Sequence, residues 1–196
     1  MARLALRASP TMTAVLGVTC EVRRMKATSL IAGVLLILVF SVYAEEAPKT
    51  AKATLRNASG DTLGKAVFIE DPNGVKIVMN VYGFPPGPHG FHIHTTGQCD
   101  PSDFASAGGH FNPHGKKHGL NNPDGSHAGD LPNLIVAFDG TATGEWFLNG
   151  VYLGSDENSL LKPGGTALVI HENADDGMTD PSGNSGPRIA CGVIAK

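Results

Sequence analysis

Between Gly90 and Asp130 the chain carries His92, His94, His110, His118 and His127, closes on the carboxylate of Asp130, and adds His171 farther along. On an extended segment side chains alternate, so His92 and His94 share one face while Phe91 and Ile93 take the other. Two imidazoles on one face can share a metal ion, and the apolar pair can enter a core. A His-x-His pair by itself is more often two half-exposed strand residues. The loop beyond it changes the reading: His110, His118, His127 and Asp130 lie on a Gly/Pro/Asn-rich segment with little apolar content, where packing gives no reason for imidazoles. Three neutral imidazoles and one carboxylate complete a tetrahedral zinc set. An all-nitrogen set without thiolate also suits copper.

Five ordered motifs carry a resemblance. Gly90-Phe-His-Ile-His94, Ala107-Gly-Gly-His-Phe-Asn-Pro113, His127-Ala-Gly-Asp-Leu131, Val169-Ile-His-Glu-Asn-Ala-Asp-Asp176 and Gly186-Pro-Arg-Ile-Ala-Cys-Gly-Val-Ile194 are similar to the signatures of copper/zinc superoxide dismutases, from about Thr50 to Ala195. The resemblance implies copper held by His92, His94, His110 and His171, and zinc held by His110, His118, His127 and Asp130. It implies that His110 bridges the two metals as an imidazolate, which requires both ring nitrogens free of protons. Asp175 would accept hydrogen bonds from one copper histidine and one zinc histidine, fixing their tautomers. Arg188 would dock the superoxide anion beside copper. The implied reaction converts two superoxide anions to oxygen and hydrogen peroxide while copper alternates between Cu(II) and Cu(I), zinc structures the site, and His110 takes and returns a proton. The other reading is an exported copper/zinc-binding relative without turnover. His89 is expected to pack or hydrogen-bond near the site rather than bind metal, and His114 to be solvated.

The elements that must position these residues read as strands. Thr50–Leu55, Ala66–Glu70 and Val75–Val81 alternate or run apolar between turn signals, with Val75, Ile77, Met79 and Val81 on one face. Leu134–Phe138 and Gly144–Phe147 flank Asp139-Gly140 and read as a hairpin. Ala167–His171 and Ile189–Ile194 bring the number to about eight, and Ser155–Leu161 could hold one helical turn. Many short strands and no helical period predict an all-β sandwich or flattened barrel. The family's eight-stranded Greek-key architecture fits. Two long loops carry the function: Thr95–Leu131, far longer than a structural connection needs, and Glu172–Pro187.

The first 44 residues differ in kind. Leu30–Phe40 is apolar, follows Arg23, Arg24 and Lys26, and precedes Val42-Tyr43-Ala44, the pattern of a secretory signal cleaved after Ala44. The run from Leu30 to Ala44 is short for a membrane span of about 20 residues, although an uncleaved anchor is the alternative. Met25 is the expected working start. The domain then occupies residues 45–196, enough for one core, in a protein expected in the periplasm or outside the cell. Of 15 basic and 18 acidic side chains, five and one lie in the leader. The remainder therefore carries 10 and 17, a net charge of −7, which argues against nucleic acid or an anionic membrane as partner. Superoxide is the expected partner, in a monomer or a homodimer.

Cys20 leaves with the leader, so Cys99 and Cys191 form an even pair in an exported chain and read as a disulfide; two buried free thiols are the alternative. The family bridges this pair. Four residues separate His94 from Cys99 and ten separate Cys99 from His110, a distribution resembling bacterial exported enzymes. The second loop contains Glu172, Asp175, Asp176 and Asp180 but no lysine, leaving copper, Arg188 and the Lys116-Lys117 pair to attract an anion.

Overall fold

A computed structural model describes residues 47–196; the leader, its cleavage point and the Met25 start lie outside the described residues. Strand β1 (Thr50–Arg56) turns Ala51, Ala53 and Leu55 inward and Lys52, Thr54 and Arg56 outward, as a period of two requires. It pairs antiparallel with β2 (Thr62–Asp71), which pairs with β3 (Gly74–Val81), where Val75, Ile77, Met79 and Val81 are buried. After β4 (Gly87–His89) and β5 (Phe91–His94) come β6 (Leu134–Val136), β7 (Ala142–Asn149), β8 (Ala167–His171) and β9 (Arg188–Val193). The large sheet has the order β5-β8-β9-β1-β2-β3-β7, and β4 pairs with β6 in a second, two-stranded sheet. The fold is all-β, a curled sheet enclosing a core of Leu55, Phe68, Ile77, Met79, Phe91, Ile93, Leu134, Leu168 and their neighbours.

Two expectations are corrected. The Asp139-Gly140 turn forms, with the Ala137 amide bonded to the Thr141 carbonyl at 2.8 Å, but the segments it joins do not make a hairpin. β6 pairs with β4 and β7 with β3, because partner choice is set by the core that each strand must cover and not by the turn. Ser155–Leu161 contains no helix; it folds back so that Tyr152 bridges Ser159. The one short helical element among the described residues is a 3-10 turn at Ala105–Ala107, inside the first long loop.

β8 is buried along its whole length. Leu168 and Ile170 face the main core, while Ala167 and Val169 pack with Phe104, Ala107 and Cys191 in a second, smaller cluster. The disulfide Cys99–Cys191 pins the loop over this cluster, with Cα atoms 5.7 Å apart and 92 residues between them in sequence. In the chain-entropy account a closure of that length stabilises by on the order of 4 kcal/mol.

The candidate metal centre

The free edge of β5 positions half the site. An unpaired edge presents amides and carbonyls that need partners, and here the first long loop supplies them. The Thr95 amide bonds to the Gly109 carbonyl (2.9 Å), the Phe111 amide to the Ile93 carbonyl (2.8 Å) and the Ile93 amide to the Gly129 carbonyl (2.9 Å). His110 is thereby bridged to His94, and Asp130 to His92. On the other side β5 pairs with β8, and the β8–β9 register slips between Ile170 and His171, setting His171 opposite Arg188. Such a slip re-aims side chains where strict alternation would turn one of them away. Gly90 joins β4 to β5 where the second loop closes in; a Cβ there would lie 2.8 Å from the Ser185 Cβ.

These elements bring together two groups of four, each with ligand atoms within 4.8 Å of one another: His92, His94, His110 and His171, and His110, His118, His127 and Asp130. Outer hydrogen bonds assign the inner atoms. His94 Nδ1 donates to the Gly108 carbonyl (2.9 Å) and His171 Nδ1 to the Gly186 carbonyl (3.0 Å), so both Nε2 atoms carry lone pairs; they lie 3.4 Å apart. His92 Nε2 lies 2.6 Å from Asp175 Oδ2, leaving Nδ1 to face inward. His110 Nδ1 lies 3.0 Å from Asp130 Oδ1 and 3.3 Å from His127 Nδ1, so its Nε2 faces the other group. Three buried nitrogens, His92 Nδ1, His110 Nε2 and His118 Nδ1, have no hydrogen-bond partner. Buried polar atoms are rarely left in that state. Two cations, one in each group, would satisfy all three, so the residues present fit two metal ions.

Asp175 stands behind both groups, its carboxylate receiving His92 Nε2 and His118 Nε2 at 2.6 and 3.0 Å. Asn133 clasps it: the Asn133 amide donates to the Asp175 carbonyl and the Asp175 backbone amide to Asn133 Oδ1, both at 2.8 Å. The His118 backbone amide donates to Asp180 Oδ1 at 2.7 Å. Asn133 is missing from the sequence reading and Asp180 enters it only as a loop charge, because neither belongs to a motif and each acts through a backbone partner. His89 is buried with its ring nitrogens 2.8 Å from the His171 and Pro85 carbonyls. His114 is exposed.

Arg188 is half-buried. Its guanidinium donates to the Phe104 carbonyl (2.6 Å) and to the Gly108 carbonyl (2.7 Å). The Gly108 carbonyl therefore serves both Arg188 and His94, and the arginine sits one backbone oxygen from a ligand. Gly108 has φ 74°, a conformation that disfavours other residues. Arg188 lines a cavity of about 360 Å³ with Ser102, Asp103, Ala105, Gly186 and Pro187. The two lysines are elsewhere. Lys117 is ion-paired with Asp180 at 2.8 Å, and Lys116 lines a different cavity, beside His127 and Asp130. Another cavity, of about 990 Å³, has no histidine in its walls.

Burial pushes His94 well below its ordinary value, His110 down to about 4 and His171 to about 3, with neighbouring histidine charge adding to the effect. Burial also opposes charge on His118, but the nearby carboxylates of Asp130 and Asp175 outweigh it and raise the ring to about 9. In the unfolded chain a histidine titrates near 6.5. Between about pH 6.5 and 4 the unfolded chain therefore binds more protons than the metal-free fold, and stability falls with acidification. The His118 contribution is fully present below pH 6.5 and is lost as pH rises toward 9. The metal-free protein should thus melt highest near pH 6.5 and lower on both sides. Calorimetry from pH 4 to 9 tests this; a melting temperature that rises steadily through pH 9 contradicts it.

The chain matches the copper/zinc superoxide dismutase (SODC) family over residues 62–194. It is 48% identical over 171 residues to superoxide dismutase [Cu-Zn] 2 of Aquifex aeolicus, covering 86% of this chain and 98% of that one. A crystal structure of a mutant SOD-like protein from Bacillus subtilis superposes with a TM-score of 0.71 at 42% identity, covering 74% of this chain and 97% of that one. Cu/Zn superoxide dismutase from Brucella abortus gives 0.61 at 29% identity, covering 74% and 99%. A likeness that spans the whole fold, together with two ligand groups sharing one histidine, leads to one conclusion: this chain belongs to the copper/zinc superoxide dismutases, oxidoreductases whose metals are copper and zinc.

Proposed function

We propose that the chain disproportionates superoxide, two anions and two protons giving oxygen and hydrogen peroxide, with copper held by His92, His94, His110 and His171 and zinc by His110, His118, His127 and Asp130. The observation that carries this reading is His110, whose Nδ1 faces Asp130 and His127 while its buried Nε2 faces the other group without a partner. Bound copper supplies the one-electron exchange with each superoxide, and bound zinc supplies a fixed positive charge beside His110.

The protein's own groups do the rest. With Nδ1 engaged on the zinc side, Nε2 is the atom of His110 that can hold a proton between the two halves of the cycle. A proton placed there is returned to the departing peroxide, and solvent provides the second. Arg188 offers its remaining N–H groups to a small anion while two carbonyls hold its fork. Asp175 fixes the tautomers of His92 and His118 and joins the two sites through one carboxylate. The disulfide holds Phe104, whose carbonyl orients Arg188, against β9.

Export of a mature chain beginning at Glu45 is part of the proposal and rests on the basic, apolar and small-residue order of the leader. The alternative, a copper/zinc-binding relative without turnover, draws on the fact that one similar structure is described only as SOD-like. The purified mature chain, its start checked by intact mass, should hold one copper and one zinc and inhibit superoxide-dependent dye reduction in riboflavin and light. Full metal content with no inhibition selects the alternative, and absence of both metals overturns the ligand assignment.

A further inference from the structure

The cavity that Arg188 lines and the cavity beside the zinc group are separate. Arg188 lines the cavity of about 360 Å³ with Asp103, Gly186 and Pro187, and no residue of the zinc group is in its walls. A separate cavity of about 430 Å³ is walled by His127 and Asp130 together with His114, Lys116 and Ser126. Within the zinc group the His127 side chain is 9% exposed, against 4% for His110, 1% for Asp130 and none for His118. His127 turns Nδ1 inward, 3.2 Å from Asp130 Oδ1, so the opposite edge of its ring is left to line the cavity.

The outer wall is held in place. Asn112 Nδ2 donates to the Lys116 carbonyl (2.8 Å) and the Lys116 amide to Asn112 Oδ1 (2.9 Å), closing a turn that presents His114 and Lys116 to solvent. Among the described residues no hydrogen bond or ion pair involves the His114 ring or the Lys116 ammonium, whereas neighbouring Lys117 is neutralised by Asp180. The cavity thus joins an exposed, uncommitted imidazole to a buried imidazole and carboxylate, a graded set of donors for a divalent cation. One unpaired positive charge stands in the way.

We propose that this cavity is the entry port of the zinc subsite, that His114 is the outer ligand that takes the hydrated divalent cation before His127 and Asp130 receive it, and that Lys116 slows the passage by repulsion. The inference rests on the zinc assignment above. An imidazole replacing one water of a hydrated zinc ion suits that metal's preference for nitrogen, and a charge of one sign lining a cleft alters the local concentration of ions. None of the residues specific to the copper group lines this cavity, so copper uptake serves as the control.

The test uses the full mature chain, disulfide intact and stripped of metal, mixed with zinc sulfate or with copper(II) separately. Zinc uptake is read by competition with a chromophoric chelator, and copper uptake by the visible absorption of the bound ion. His114→Ala should slow zinc uptake several-fold and Lys116→Glu should speed it. Both variants should keep wild-type copper uptake and wild-type equilibrium zinc content, and circular dichroism should confirm that each is folded. Zinc uptake unchanged in both variants overturns the port, as does equal slowing of zinc and copper. A wild-type chain that retains no zinc at equilibrium overturns the zinc assignment itself, a separate failure from that of the port.

Discussion

Replacing His171 by alanine should remove copper and dismutation together and leave zinc in place. His171 contributes Nε2 to the group containing His92, His94 and His110 and belongs to no other group of candidate ligands. Its Nδ1 is committed to the Gly186 carbonyl and its Nε2 lies 3.4 Å from that of His94. The loss should be on the order of 10³-fold or more, since a metal's contribution is worth several kcal/mol and each 1.36 kcal/mol is tenfold. Asp130→Ala is the converse: its carboxylate meets His110, His118 and His127 and accepts the Gly119 and His127 amides. That variant should loosen zinc first and disturb copper only through His110. Metal analysis beside turnover reads both variants. A His171→Ala protein that keeps copper and full rate would show the split between the groups to be wrong.

The second large effect is expected at Arg188. Alanine there should lower kcat/KM about ten- to a hundredfold with both metals retained, because a hydrogen bond to a charged group contributes roughly 1.5–3 kcal/mol. The Lys116→Ala/Lys117→Ala double change should do much less. Lys117 is already paired with Asp180, and Lys116 opens on the cavity beside His127 instead of the one beside Arg188. Exposed charges at that remove are screened over about 10 Å at 0.1 M salt, so any effect should fade as salt rises, whereas the Arg188 effect should persist. Initial rates from low to high ionic strength decide between them. A double lysine variant slower than Arg188→Ala at every salt concentration would place anion docking in the wrong cavity.

The parts of this protein visible in its sequence are those written in side chains. Alternation from Val75 to Val81 announced one buried face, and the histidines of β5 and the first long loop announced a metal site before any geometry. What stayed hidden was written in backbone or in distant partners. The Gly108 carbonyl that serves both His94 and Arg188 leaves no mark, since every residue has a carbonyl. β4 is three residues long and contains Pro88, which argues against a strand except at an edge. It forms because β6 arrives to pair with it from more than forty residues away. The supposed hairpin around Asp139-Gly140 failed for the same reason: turn chemistry is local, and strand partnership is not.

The most direct measurement is superoxide decay after pulse radiolysis, with the mature protein loaded with one copper and one zinc. A kcat/KM on the order of 10⁸–10⁹ M⁻¹s⁻¹, the diffusional ceiling already known for superoxide dismutases as a class, is the result expected of an intact two-metal centre with Arg188 at its mouth. Decay no faster than in buffer, from protein whose copper and zinc are both in place, would contradict dismutation and leave a metal-binding protein on a dismutase fold.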